Sequence, residues 1–152
     1  MEGINYLNNL KVYLAGKIGG ISFYEAYEWR EEIKTMLEKE AHYIGCNICV
    51  INPLDYYNYE EITYQSEREV EDFDLKHVIT SDIVVANLDG LNTSDGTKLE
   101  IFEAYRHYKI PVIVFGDKNI YDNLHPWIKS KITRYEPDAS SACNYIREYY
   151  MF

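Results

Sequence analysis

The sequence has little of what marks several large classes of protein. None of its apolar runs approaches the ~20 residues that a membrane-spanning helix needs, and its first five residues lack the basic and apolar parts of a signal peptide. Basic residues are few, because 15 Lys and Arg stand against 25 Asp and Glu and give a net charge of −10. Binding to a phosphate backbone requires clusters of Lys and Arg. We therefore expect a cytoplasmic protein that binds neither nucleic acid nor membrane.

Cysteine and histidine are also scarce, with three and four residues. An odd number of cysteines without a secretion signal does not indicate a disulfide framework. Cys46 and Cys49 have the C-x-x-C spacing of redox and zinc sites, but they lead into a predicted strand and no second pair follows. Two small apolar side chains of a strand are the favoured interpretation. The histidines show no metal spacing, so we predict no metal site.

Apolar residues and tyrosine are abundant. The chain of 152 residues is 47% hydrophobic, which is enough for one domain with its own core. It has 16 tyrosines, and some of them are expected to line grooves or interfaces. The tyrosines of residues 56–64 are interpreted as loop packing or a subunit contact. Residues 149–152, Tyr-Tyr-Met-Phe, are too apolar for a free tail and should dock on this chain or on a neighbour.

Strand and helix patterns alternate along the chain. Strands are predicted at residues 11–16, 48–51, 83–88 and 110–115, with a weaker fifth near 131–135. Helices are predicted from Ser22, which opens a capping box, to Gly45, at about 67–80, from 95 onward and at 139–149. The alternation predicts a single α/β domain with a parallel sheet of about five strands, covered on both faces.

Ligands of such sheets bind at the carboxyl ends of the strands. Three segments should converge there, namely residues 16–20, the long loop 53–66 and residues 88–100. Loops as long as 53–66 are often lids or binding loops.

The segment 95–100, Asp-Gly-Thr-Lys-Leu-Glu, joins the third predicted strand to the third predicted helix. Glu100 is expected in the first turn of that helix, where the dipole and free N–H groups would hold its carboxylate ionised and pointing outward. Such a carboxylate suits covalent attack on a sugar carbon. Residues 97–100 also have capping-box spacing, so a purely structural role for Glu100 stays open. Glu103, one turn later, is a rival nucleophile.

Three segments resemble the nucleoside 2-deoxyribosyltransferase family. They are residues 12–16 (Val-Tyr-Leu-Ala-Gly), Asp74-Leu75 followed by residues 81–86, and residues 95–100 followed by Ala104 and residues 111–113. Together they span about residues 11–115. The resemblance implies a flavodoxin-like three-layer fold and cleavage of an N-glycosidic bond. It also implies a homo-oligomer, since relatives complete their pockets with residues of a neighbouring subunit.

The resemblance also implies roles for individual residues. Glu100 falls at the nucleophile that attacks C1′ of deoxyribose, Tyr13 at a tyrosine that orients this carboxylate, and Asp74 at an aspartate that handles the proton of the base. Asp95 falls at a carboxylate that contacts the 5′ side of the sugar. The implied substrate-binding segments further contain Gly16, Lys17, Gly96 and Thr97.

Each of these residues also has an interpretation without chemistry. Asp95 could be a helix cap or a turn residue. Asp74 could belong to a solvated helix face, because the acidic residues of 67–72 crowd the same stretch, and Tyr13 could be a core residue.

The chemistry of the implied reaction fits two carboxyl groups. Two carboxylates that flank one glycosidic bond can divide the roles of nucleophile and acid. Negative charge stabilises an oxocarbenium-like transition state, and the carboxyl that protonates the leaving base should have a raised pKa. This route requires no metal and no organic cofactor.

Two residues depart from the family pattern. Lys17 stands where proline or an aromatic residue is frequent, and Phe102 stands where glycine is common. Beside Gly19 and Gly20, Lys17 could meet a 5′-phosphate. We expect a deoxyribosyltransferase of 2′-deoxynucleosides. The alternatives are a hydrolase that releases the base from (deoxy)nucleoside 5′-monophosphates, and a nucleotide-binding domain without turnover.

Overall fold

A parallel five-stranded sheet forms the centre of the protein. The computed structural model describes residues 9–107 and 109–151, so the first five residues and Phe152 lie outside the described residues. The strands are β1 (Asn9–Ala15), β2 (Asn47–Ile51), β3 (Ile83–Asn87), β4 (Val112–Phe115) and β5 (Arg134–Glu136). Their order is β2-β1-β3-β4-β5 and every pairing is parallel. The predicted sheet is confirmed.

Helices cover both faces of this sheet. They are α1 (Phe23–Ile44), α2 (Glu67–Ile79), α3 (Asp95–Arg106), α4 (Lys118–Asp122), α5 (Pro126–Lys129) and α6 (Ala139–Tyr150). One apolar core joins the sheet to α1 and α6, and a second joins it to α2 and α3. This is the predicted three-layer, flavodoxin-like fold. The short helices α4 and α5 were not expected from the sequence.

The alternation of side chains along β1 decides which residues can reach the site. Val12 and Leu14 enter the core beneath α1 and α6, whereas Tyr13 and Ala15 enter the core beneath α2 and α3. Successive residues of a strand point to opposite faces. Tyr13 is therefore directed towards α2 and α3.

The boundaries of α1 follow from local chemistry. The Ser22 side chain accepts a hydrogen bond from the Glu25 N–H, and the Glu25 carboxylate accepts one from the Ser22 N–H, which is the predicted capping box. Gly45 ends the helix with φ at 91°, a conformation in which glycine has no steric penalty.

The tyrosine-rich loop packs on its own chain. The Tyr59 hydroxyl donates to the Ile21 carbonyl at 2.7 Å, and Tyr56 and Tyr57 pack their rings against Phe73 of α2. The C-terminal segment does the same, because Met151 is buried in the core beneath α1 and α6. Of the two interpretations of this segment, docking on its own chain is therefore observed for Met151.

The two cysteines of the C-x-x-C segment differ in burial. Cys46 is buried just before β2, whereas Cys49 is exposed on it, so that only Cys46 behaves as a small apolar residue. Within residues 9–107 and 109–151, no three potential ligands from His, Cys, Asp and Glu come together as a metal site. In the same ranges no helix combines the length and the apolar character needed to cross a bilayer.

Candidate active site

Tyr13 and Glu100 meet in the interior, although 87 residues separate them in the chain. The Tyr13 hydroxyl donates a hydrogen bond of 2.5 Å to Oε2 of Glu100. Tyr13 is fully buried and the exposed fraction of Glu100 is only 9%. The contact forms because Tyr13 points from β1 towards the face that α3 covers. The structure thus brings together the two residues that the sequence proposed as nucleophile and orienting hydroxyl.

The start of α3 corrects the expectation for Glu100. Ser94 is the N-cap, its side chain accepts from the Thr97 N–H, and Asp95 is the first helical residue. Glu100 consequently lies in the second turn and is buried, so the prediction of an outward-pointing carboxylate in the first turn is wrong. The interpretation of Glu100 as a helix cap is wrong for the same reason, because Ser94 performs that role.

Asp74 of α2 completes a pair of carboxyl groups. Asp74 and Glu100 line one cavity of about 360 Å³ between α2 and α3. Oδ1 of Asp74 is buried and has no hydrogen-bond partner among the described residues. Buried polar atoms are nearly always paired in folded proteins, and unpaired ones require an explanation.

A second, smaller cavity lies beneath the tyrosine-rich loop. It has a volume of about 160 Å³ and also contains Asp74. Its walls are mostly aromatic and apolar, from Ile18, Pro53, Leu54, Tyr57, Tyr59, Tyr64 and Val70, with Glu67 beside Asp74. Asp74 therefore stands between an aromatic cavity and the cavity that contains Glu100.

Arg30 is a further residue of this region that the sequence analysis missed. Its exposed fraction is 1%, and it donates hydrogen bonds to the carbonyl oxygens of Leu14, Gly16 and Ala26 at 3.3, 2.9 and 2.5 Å. A sequence signal was present, because Arg30 lies on the buried stripe of α1 that also contains Ile33 and Leu37. A charged residue in an apolar stripe indicates a specific task.

Burial and neighbouring charges change the protonation of the two carboxyls. Burial raises the pKa of Asp74 to about 7, and Arg30 acts in the opposite direction. Burial raises the pKa of Glu100 to about 8; the charge of Asp74 adds to this, while the Tyr13 hydrogen bond and Arg30 lower it. Both carboxyls thus hold protons more tightly than ordinary side chains. Burial also raises the pKa of Tyr13, which keeps its hydroxyl as a donor.

The residues at the start of α3 contribute unequally to the cavity. Gly96 lines the cavity between α2 and α3, with open space where a Cβ would stand. Thr97 is buried and its hydroxyl pairs with the Ser94 hydroxyl at 2.7 Å. Asp95 is exposed and lines neither of the two cavities described above.

Gly16 and Lys17 follow β1 but do not reach the cavity of Glu100. A Cβ on Gly16 would come within 2.5 Å of the Trp29 ring, so only glycine fits there without movement of Trp29. The Lys17 ammonium donates to Oγ1 of Thr93 at 2.6 Å. Lys17 lines a separate cavity of about 270 Å³, whose walls include the carboxylates of Glu25, Glu28 and Asp89.

Glu103, the rival nucleophile, lies one turn along α3. Its Oε2 is 2.8 Å from Nε2 of His107, and it lines neither cavity that contains Asp74. Geometry therefore favours Glu100.

The fold is shared with proteins of known structure. No model of a protein family and no curated protein sequence matches the chain. A conserved protein from Enterococcus faecalis V583 aligns with a TM-score of 0.64 at 16% identity, over 91% of this chain and 98% of its own. A 2-deoxyribosyltransferase from the psychrotolerant bacterium Bacillus psychrosaccharolyticus aligns with a TM-score of 0.57 at 21% identity, over 89% of this chain and 91% of its own.

A CMP N-glycosidase from Clostridium botulinum aligns with a TM-score of 0.52 at 15% identity, over 91% of this chain and 99% of its own. At these identities the similarity concerns the fold. It confirms the fold that the sequence resemblance implied, since this chain has the architecture of a 2-deoxyribosyltransferase and of an N-glycosidase along nearly its whole length.

The raised pKa of Glu100 predicts a pH-dependent cost in stability. Asp74 and Glu100 interact, so the folded state gives up the last proton of the pair only near pH 8, whereas Glu100 of the unfolded chain has its ordinary pKa of 4.5. The contribution of this proton to stability is therefore complete below pH 4.5 and is lost as the pH rises through about 8. Relative to the wild type, Glu100→Gln should gain stability across this window by about 1.4 kcal/mol for each pH unit. Urea unfolding at a series of pH values measures the difference.

The matched control is Glu103→Gln, which removes a carboxyl from the same helix at a position where the side chain is 22% exposed. If both variants follow the same pH trend, burial of Glu100 is not its cause.

Proposed function

We propose that the protein is a nucleoside 2-deoxyribosyltransferase. It cleaves the N-glycosidic bond of a 2′-deoxynucleoside through a covalent intermediate on Glu100 and transfers the deoxyribose to another nucleobase. The buried hydrogen bond from Tyr13 to Glu100, next to the unpartnered oxygen of Asp74, carries this proposal. It supplies one oriented carboxyl for attack and a second for proton transfer.

The two cavities suggest how a nucleoside lies in the site. The planar base fits the aromatic cavity beneath the loop, whose tyrosine rings can stack against it. The sugar then lies towards Glu100. Because Asp74 belongs to both cavities, the glycosidic bond passes beside its carboxyl.

The reaction proceeds in two displacements. An ionised Glu100 oxygen forms a bond to C1′ while the bond from C1′ to the base nitrogen breaks, and the base takes its proton from Asp74. The nitrogen of the incoming base then attacks C1′, Glu100 leaves as a carboxylate, and Asp74 takes the proton that this nitrogen gives up. Inversion at each step gives overall retention. Tyr13 donates to the Glu100 carboxylate before the first displacement and again after the second, and so holds its orientation.

The other residues of the proposed substrate site act at its margin. Gly96 leaves room in the cavity wall for the sugar, and Thr97 fixes the first turn of α3 through Ser94. We assign Asp95 to the 5′ side of the sugar, which it would approach from the solvent. Gly16 acts indirectly, because its carbonyl accepts a hydrogen bond from Arg30 that fixes the end of β1.

Hydrolysis of nucleoside 5′-monophosphates is the second candidate. The similarity of the fold to a CMP N-glycosidase supports it, as does the Lys17 ammonium, whose hydrogen-bond partner is the neutral Thr93 hydroxyl. Three carboxylates share the cavity of Lys17, however, and their charge opposes the binding of a phosphate there. For this reason we rank transfer above hydrolysis.

We also propose a homo-oligomer. An apolar strip on α3 consists of Leu99, Phe102 and Tyr105, with exposed fractions of 47%, 40% and 43%. Leu99 also lines the cavity that contains Glu100, so the strip continues from the mouth of the site. A second copy of the chain on this strip would cover apolar surface and close the cavity.

The central prediction concerns Glu100→Gln. Incubation of the wild type with deoxyadenosine and cytosine should yield deoxycytidine and adenine. Glu100→Gln should lower this rate by about 1,000-fold or more, because the amide cannot act as the nucleophile. Glu103→Gln should retain activity, and circular dichroism should show folded protein for both variants. Chromatography of bases and nucleosides measures the products.

The same assay separates the alternatives. Free base without a new nucleoside, or base released only from a 5′-monophosphate, would favour hydrolysis. Binding without release of base from any nucleoside or nucleotide would support a domain without turnover. Full activity of Glu100→Gln would refute the assignment of the nucleophile.

A charged residue in the apolar strip should dissociate the oligomer. Phe102→Glu places a carboxylate at the centre of the strip, and we expect light scattering at micromolar concentration to show a smaller species than for the wild type. Tyr43→Glu, at an exposed position near the end of α1, is the control. A monomeric wild type would contradict the proposal.

A further inference from the structure

Arg30 is a buried cation without a carboxylate partner at hydrogen-bond distance among the described residues. Its hydrogen bonds run to the main-chain carbonyls of Leu14, Gly16 and Ala26. Carbonyl dipoles satisfy the N–H groups but leave a net positive charge. A buried charge is costly unless an opposite charge lies nearby. The nearest anionic groups therefore determine whether Arg30 is stable where it is.

The groups whose charges act on Arg30 come from four parts of the fold. They are Tyr13 of β1, Asp74 of α2, Glu100 of α3 and Tyr59 of the loop. The two tyrosines remain neutral hydroxyls, since burial raises the pKa of both. Towards the mouth, the cavity is further lined by Glu67, Arg68 and Glu71. Arg30 is thus a buried positive charge that interacts electrostatically with both carboxyl groups of the site.

We infer that Arg30 is a positioning residue that balances the charge of one carboxylate, so that Asp74 and Glu100 hold a single proton between them in the ligand-free protein. Ionisation of the first carboxyl makes the buried group of three neutral. Ionisation of the second leaves an excess negative charge in the interior, next to a like charge, and both effects oppose it.

Although burial raises the pKa of Glu100 further than that of Asp74, the contacts favour Glu100 as the ionised member of the pair. Its Oε2 accepts the Tyr13 hydroxyl, which is a stronger bond when the acceptor is a carboxylate. Asp74 has an oxygen with no donor, which suits the protonated group. For catalysis this inference rests on the proposed function, because one nucleophile and one acid are what the two displacements need. By its charge, Arg30 would therefore make two carboxyl groups of the same chemistry differ, so that one is an ionised nucleophile and the other a protonated acid.

Arg30 also has a structural task, which any experiment must separate from its charge. Its bonds to Leu14 and Gly16 connect α1 to the end of β1, the strand that carries Tyr13. Arg30→Lys keeps the positive charge but loses the fork of donors. Arg30→Met keeps much of the apolar stem and loses the charge.

Carboxyl titration in the ligand-free full chain tests the inference directly. Carbon-13 NMR of the Asp and Glu side chains should show Asp74 and Glu100 titrating in two resolved steps, with one proton held between the steps. In Arg30→Met both steps should move upward by about 1 to 3 pH units. Arg30→Lys should restore them towards the wild type. Arg147→Met, which removes an arginine paired with Glu40 towards the C-terminal end of α1, should leave both steps in place.

One single variant keeps the test decisive if Arg30→Met does not fold. In Asp74→Asn, Glu100 has Arg30 to itself and no longer faces the charge of Asp74, so it should ionise at a lower pH than in the wild type. An unchanged titration of Glu100 in Asp74→Asn would overturn the inference. So would a folded Arg30→Met protein, judged by its amide spectrum, that titrates like the wild type.

The readout also separates this inference from the proposed function. The titration uses no substrate, so it stands whether or not a nucleoside is turned over. If nucleosides react but Arg30→Met leaves both steps unchanged, the function survives and the inference fails. If the steps move as expected but no base is ever released, the inference survives and the proposed function fails.

Discussion

The hydrogen bond from Tyr13 to Glu100 is the interaction on which the rest of the site depends. It joins the first strand to the third helix and gives a buried carboxyl its donor. A carboxyl buried without a partner would cost several kcal/mol, by the usual range of about 2–7 kcal/mol for a polar group. The alternation of residues along β1 permits the contact, since it directs Tyr13 and not its neighbours towards α3. Asp74 and Arg30 then set the charge around this bond.

The buried carboxyls and guanidinium of the site lower the stability of the fold but suit a catalytic role. Two carboxyls with raised pKa values and a buried guanidinium weaken a core that is otherwise formed by the apolar residues of the sheet. Perturbed groups of this kind concentrate at functional sites. These destabilising groups lie at the carboxyl ends of the strands, where loops and helices meet and where open α/β sheets bind ligands.

Periodicity predicted the five strands and the long helices, because buried apolar runs and capping residues are local signals. The same reasoning placed Glu100 in the first turn of α3, whereas Ser94 is the N-cap and puts Glu100 in the second turn. The proximity of Tyr13 to Glu100 was predicted through resemblance and not from spacing. Arg30 was overlooked although it lies on the buried stripe of α1. Its partners are main-chain carbonyls, and these contacts have no signature in a sequence. The separation of Lys17 from the cavity of Glu100 likewise depends on tertiary contacts with Thr93 and Gly90.

A crystal of the wild type soaked with a 2′-deoxynucleoside would test the central claim most directly. The account predicts continuous density between C1′ of the deoxyribose and a carboxylate oxygen of Glu100, with the Tyr13 hydroxyl beside it and the base in the aromatic cavity. Density that joins C1′ to another carboxylate, or an intact nucleoside bound away from Glu100, would contradict it.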